Sequence, residues 1–359
     1  MQTHIQNMLD RLVADGPELG LQVAAYVNGK LTVNAWAGIA DASTGQPVDE
    51  DTLFPVYSST KGVAATIIHI LAERGQLSYD EPIASIWPEF AANGKSAITL
   101  RHALSHSAGI PQMPTGITAP DLVDWTAMCE RVAALTPQWT PGTRIEYHAV
   151  TYGWILGEVA RRVDGRPFEQ MLKEEVADRI GVEAMYCGAP DEVDARIATI
   201  VEPEPMMVED DGLPKAIPHY VTPLGYWMNR PEGRRACIPA STGVMSANAI
   251  AKHYAALLPG GVDGVELLPA SRIKTATTPQ TLEHPENDDY PKNWGLGYQL
   301  GGEGSIYGGI DAFGHGGYGG SIGFADPVLG LAVGVTKNHF NALGTTQDIV
   351  NELRAHLRR

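Results

Sequence analysis

Ser58 and Lys61 stand three residues apart in the run Ser58-Ser59-Thr60-Lys61, at the start of an apolar stretch. On a helix, residues three apart share a face, so this hydroxyl and this amine can meet side chain to side chain. A hydroxyl becomes a useful nucleophile only when a neighbouring base takes its proton. A lysine can be that base when burial or nearby positive charge lowers its pKa. A helix start supplies apolar walls and a positive dipole end, which also favours a developing oxyanion. Taken as a tetrapeptide alone, the same residues fit a serine N-cap beside a solvated lysine better than a catalytic pair, because chance matches to the spacing are common.

Two further segments could complete such a site. Tyr147, in PGTRIEYHAVTYGW, could relay protons between an activated serine, a lysine and a leaving group; its plainer fate is a half-buried aromatic. FGHGGYGGS, residues 313–321, has glycines that let a strand edge approach a substrate, and a free backbone N–H there could hold an oxyanion; its plainer fate is a tight turn.

The elements that must position these groups can be traced along the chain. With 359 residues it exceeds the roughly 250–300 at which single cores stop growing, so two lobes are expected. MQTHIQNMLDRLVADG reads as an amphipathic helix with Ile5, Met8, Leu9 and Leu12 on one face, and not as a signal peptide. LQVAAYVNGKLTVNAWAGIAD is a hairpin about Asn28-Gly29, and residues 58–74 form a buried helix stopped by Gly75. From 76 to 237 the signals are helical, with residues 202–235 read as a long surface loop because of their prolines. STGVMSANAIAKHYAALL reads as one helix. WGLGYQL, AFGHGG, SIGFADP and LGLAVGVTKN follow as short strands, and TTQDIVNELRAHLRR closes as a helix. The expected architecture is an α/β domain from residues 1–75 and 238–359, with an inserted helical domain at 76–237.

Together these segments make the chain resemble the serine β-lactamase and penicillin-binding-protein superfamily, and within it the class C-like branch and the family VIII carboxylesterases. LFPVYSSTKG, LRHALSHSAGIP, WTPGTRIEYHAVTYGWILGEV, IPASTGVMSANAIAKHYAAL, WGLGYQL and FGHGGYGGSIGFADP carry the resemblance over nearly the whole length. It implies a β-lactamase-like fold, an antiparallel sheet flanked by helices. It implies that Ser58 is acylated, that Lys61 accepts its proton alone or with Tyr147, and that Tyr147 protonates the leaving group and later helps activate water. It implies an oxyanion hole made by the N–H groups of Ser58 and Tyr318. It puts His315-Gly316-Gly317 where lactamases carry Lys-Thr-Gly.

Two departures shift the implied substrate. The lactamase Tyr-x-Asn reads Tyr147-His148-Ala149 here, so the amide that holds a lactam side chain is missing. The lysine of the third motif is His315, and an ordinary histidine is largely uncharged near neutral pH. Both favour a small neutral ester, short-chain or aryl, over penicillin. A β-lactamase or D-amino-acid peptidase, an amide hydrolase and an acyltransferase would share the serine; a catalytically silent ligand-binding protein is the rival of another class. No cofactor is required.

Several motifs are read as decoys. Gly319-Gly320-Ser321-Ile322-Gly323 matches the GxSxG elbow but runs on as strand and turn, where that motif needs a following helix. His102 and His106 are spaced like zinc ligands but lack the glutamate of HExxH, so no metal is expected. Ser59 reads as helix N-terminal polarity. Trp294, Tyr226 and Trp227, in Gly- and Pro-rich segments, are the candidate pocket aromatics, and Trp139 reads as core. A net charge of −16 argues against nucleic acid and anionic membrane as partners, and no stretch approaches the roughly 18 apolar residues of a membrane span. Cys129, Cys187 and Cys237 form no CxxC, which fits reduced thiols in the cytoplasm. Oligomeric state is left open.

Overall fold

The computed structural model describes residues 1–209, 211–280, 293–340 and 344–358. β1 (Gly20–Val27) and β2 (Lys30–Asp41) form the expected hairpin, with Asn28 and Gly29 both at positive φ, 48° and 73°. Two successive left-handed residues give the tight turn whose twist matches the flanking strands. β3 is Gln46–Pro47, and β4, Phe54–Tyr57, leads into the Ser58 turn. Later strands are β5 (Met185–Cys187), β6 (Gly243–Met245), β7 (Gln299–Leu300), β8 (Phe313–Gly316), β9 (Ile322–Asp326) and β10 (Leu331–Lys337).

The main sheet has seven strands in the order β3-β2-β1-β10-β9-β8-β7, every pair antiparallel. Its centre joins β1 to β10, with Ala24 opposite Gly334. Strand residues alternate faces. Leu21, Val23 and Ala25 pack with Ile5 and Leu9 of the first helix and Ile349, Val350 and Leu353 of the last. Ala24 and Tyr26 turn to the opposite face and join the larger core. This is the antiparallel sheet flanked by helices that the resemblance implied. A second sheet, β4-β6-β5, draws β5 from the 76–237 stretch and sits beside the Ser58 turn.

The helix Thr60–Glu73 is buried at every position from Thr60 to Ala72. A helix that is apolar all round belongs in the interior. It ends where expected, with Gly75 at φ 70°. The helix Thr151–Asp164 carries the segment after Tyr147 and stops at Gly165, φ 89°.

Two expectations are corrected. Residues 241–258 are not one helix: Gly243–Met245 form β6, and the helix runs only Ala247–Ala255. Ser246 is its N-cap, the side chain accepting from Ala249 N–H at 3.1 Å, and that cap marks the boundary. Residues 202–235 are not simply a loop. They hold a helical turn His219–Val221 and short helices Leu224–Asn229 and Pro231–Arg235. Three of their six prolines stand at helix starts, Pro218 and Pro223 at N-caps and Pro231 at the first helical position, where a missing N–H costs nothing. At the other end, the closing helix runs Gly344–Leu357, and Arg359 lies outside the described residues.

Candidate active site

Tyr57 ends β4 at φ 46°, a region that bulky L residues rarely adopt. The turn is held on several sides. Thr60 Oγ1 donates to Tyr57 O at 2.5 Å and accepts from Gly243 N–H at 2.9 Å. Tyr57 donates its own hydroxyl to Leu224 O at 3.1 Å. Ser58 therefore emerges at the mouth of the buried helix, with Lys61 one turn in.

Lys61 is fully buried, its Nζ 3.1 Å from Ser58 Oγ. Nζ also donates to two carbonyls, Ala149 O at 2.7 Å and Ala240 O at 2.8 Å. Burial pushes the amine well below its ordinary 10.5, and no carboxylate among the described residues acts against that shift. A neutral amine has two N–H donors and one lone pair. In that form, with both donors taken by carbonyls, the lone pair faces the Ser58 hydroxyl; the ammonium form instead donates a third N–H to Ser58 Oγ. Tyr147 lies alongside, its ring centroid 4.7 Å from Nζ and stacked on Trp294 at 5.9 Å.

The end of β8 closes the far wall. Gly317 lets it approach: a Cβ there would lie 2.1 Å from Val56 O and 2.3 Å from Ser321 Oγ. The N–H groups of Ser58 and Tyr318 have no backbone acceptor among the described residues. Tyr318 is anchored by its hydroxyl, which donates to Glu202 Oε1 at 2.5 Å. His315 is buried, with Nδ1 2.7 Å from Gly316 O. A carbonyl only accepts, so the proton sits on Nδ1. Burial first, then the charge of Lys61, lowers the imidazole to about 3, so His315 is neutral at any ordinary pH.

A cavity of about 450 Å³ opens on Ser58. Its walls include Met113, Leu122, Val150, Ile217, Val221 and Leu224, and none of its lining residues is Asp, Glu, Lys or Arg. Ser58, Tyr147, Trp294, Trp227, His315, Gly316, Gly317 and Tyr318 all meet there, with Lys61 beneath. Tyr226 does not; it is 64% exposed and faces away from the cavity. Adjacent helical residues point about 100° apart, so when Trp227 faces in, Tyr226 cannot.

Sequence reasoning missed the two carbonyls that hold Lys61, which are backbone groups with no residue signature. It also missed the apolar wall from 217–228, hidden in a stretch read as surface. Ser321 is 3% exposed, donates to Val56 O at 2.8 Å and precedes β9 rather than a helix. His102 caps the helix Leu100–Leu104 and accepts from Thr99 N–H at 3.2 Å. Among the described residues, the group of three possible metal ligands is His4, Glu352 and His356, on the two terminal helices.

The sequence profile described as Beta-lactamase matches residues 5–355. "Esterase/beta-lactamase LipL" of Mycobacterium tuberculosis is 34% identical over 334 residues, covering 89% of this chain and 77% of that protein. The crystal structure of a family VIII carboxylesterase superposes with a TM-score of 0.87 at 33% identity, over 98% of this chain and 96% of the other. A penicillin-binding-protein homologue from Caulobacter crescentus superposes with a TM-score of 0.83 at 32% identity, over 98% and 96%.

Proposed function

The chain belongs to the Beta-lactamase family, and from that premise we propose that it is a serine carboxylesterase acting on small neutral esters, short-chain or aryl, through an acyl-enzyme on Ser58. The observation that carries the substrate class is the cavity itself, apolar and without a charged side chain in its lining. A substrate carboxylate would find no cation there, because His315 is neutral. A lactam side chain would find Ala149 where Tyr-x-Asn places an amide.

In this reading Ser58 Oγ gives its proton to the Lys61 lone pair and attacks the ester carbonyl. The oxyanion is held by the N–H groups of Ser58 and Tyr318. The tetrahedral intermediate collapses, the C–O bond to the alcohol breaks, and the alkoxide takes a proton from Tyr147 or the Lys61 ammonium. Water, deprotonated by the same pair, then attacks the acyl-enzyme and releases the acid. Three free thiols, with Cys237 Sγ donating to Cys187 Sγ at 3.7 Å and no disulfide between them, support a cytoplasmic setting. No described helix is long and apolar enough to cross a membrane.

The test is hydrolysis of p-nitrophenyl acetate and butyrate beside nitrocefin, by wild type and Ser58→Ala. Rapid ester cleavage, little nitrocefin turnover and loss of both in Ser58→Ala is the expected result. Nitrocefin as the better substrate overturns the ester reading. Full esterase activity in Ser58→Ala moves the nucleophile elsewhere.

A further inference from the structure

His106 belongs to LSHSAGIP, a segment that the mechanism above leaves unused. It is completely buried and sits at φ 59°, outside the range natural to most side chains. Its carbonyl accepts from Glu146 N–H at 3.0 Å, and its Nδ1 accepts from His148 N–H at 3.2 Å. Those two donors flank Tyr147. The imidazole also packs on Tyr147 itself, ring centroids 4.8 Å apart, and edge-on against Trp294 at 4.4 Å.

The rest of the segment is moulded to the same stretch. Ile110 N–H donates to His148 Nε2 at 3.1 Å, and His148 Nδ1 lies 2.7 Å from Glu146 O. Thr151 Oγ1 donates to Ile110 O at 2.9 Å, which fixes the start of the following helix. On the other side Lys61 grips Ala149 O at 2.7 Å. Residues 146–149 are thus held between His106 and Lys61, with Tyr147 in the middle.

We propose that His106 is a positioning residue for Tyr147: it grips the backbone on both sides of the tyrosine and sets its phenol against Lys61 and Ser58. This rests on the proton-transfer role given to Tyr147 above. Accepting from His148 N–H requires an unprotonated Nδ1. Burial keeps the imidazole well below its ordinary 6.5 and so neutral. The left-handed backbone is also explained. With that turn the carbonyl and the ring of one residue reach the two sides of another.

The test is a double-mutant cycle with the conservative variants. Tyr147→Phe should lower kcat about 10²-fold or more, the range of a lost general acid–base group. His106→Ala should lower kcat about 10²-fold, as a displacement near 1 Å does, with KM within about threefold. In the Tyr147→Phe background, His106→Ala should cost less than about threefold, because there is no phenol left to position. His106→Asn tolerates the left-handed backbone and places its amide oxygen near the Nδ1 position, so it should keep kcat within about fivefold. His106→Gln cannot, and should behave as His106→Ala; this pair carries the test if the alanine variant does not fold. An equal loss from His106→Ala with and without the phenol overturns the proposal, as does equal activity of the Asn and Gln variants. If Tyr147→Phe alone retains full kcat, the role of Tyr147 falls and the proposal with it, a result distinct from additivity.

Discussion

Lengthening the apolar part of the ester should raise kcat/KM in a way the cavity wall predicts. The apolar lining of the cavity includes Ile217, Val221, Leu224, Trp227, Met228 and Ile238. Each methylene moved from water into such a surroundings gains about 0.8 kcal/mol. Acetate to butyrate adds two methylenes, or about 1.6 kcal/mol, and tenfold in rate corresponds to about 1.36 kcal/mol, so the ratio should be about 15. The assay is initial-rate kinetics on p-nitrophenyl esters of rising acyl length, and in parallel on acetates of rising alcohol length. At least one series should climb by about fourfold per methylene until the chain outgrows the cavity of about 450 Å³. Val221, 8% exposed, supplies the matching perturbation. Val221→Asn puts an amide into that wall, and an unpaired polar group resists burial. It should cut the butyrate-to-acetate ratio several-fold and leave acetate turnover within about threefold. Two flat series, or a ratio unmoved by Val221→Asn, would refute the assignment of this cavity to the substrate.

Lys61→Met should lower kcat by about 10²–10⁴-fold and slow labelling of Ser58 by a fluorophosphonate; labelling at the wild-type rate would remove Lys61 as the base. With Lys61 as the proposed base, kcat/KM should be present above its folded pKa and fall toward acid, with the midpoint well below 10.5, and a midpoint at 10.5 would contradict the burial. Folding stability should also fail in mild acid. His69 and His148 are held near 4 and His253 and His315 near 3, all by burial, so their contribution is full above the unfolded value of about 6.5 and is lost as pH falls toward the folded values. Each loses roughly 1 kcal/mol per pH unit in that window, so the urea midpoint should drop sharply between pH 6.5 and 5; a flat midpoint contradicts the neutral burial of these rings. Gly317→Ala should cost about 10²-fold in kcat with the fold retained, since a Cβ 2.1 Å from Val56 O must push β8 away from the Ser58 turn; unchanged turnover would show that this approach is not needed.

The residues proposed to react were legible because their geometry is local or their motifs specific. Ser58 and Lys61 are one helical turn apart, and a helix of thirteen buried residues is hard to read otherwise. The hairpin at Asn28-Gly29 is likewise a property of two residues. What escaped depends on distant chain segments. The carbonyls of Ala149 and Ala240 find Lys61 from 88 and 179 positions away. The choice between Tyr226 and Trp227 needed the orientation of one short helix, which composition does not encode. Gly243-Val244-Met245 carries no period of its own that would separate β6 from the helix after it; only Ser246, as a cap, marks the change.

The pairing of β1 with β10 at the centre of the sheet has a consequence for synthesis. β1 is made roughly 300 residues before its partner at 331–337, which at about 5–20 residues per second is roughly 15–60 s on the ribosome. Throughout that interval one edge of the β1–β2 hairpin carries unpaired backbone groups beside Leu21, Val23 and Ala25, a template for pairing with another nascent chain. Recovery of soluble protein should therefore follow elongation rate and chaperone supply more closely than it follows the stability of the finished molecule.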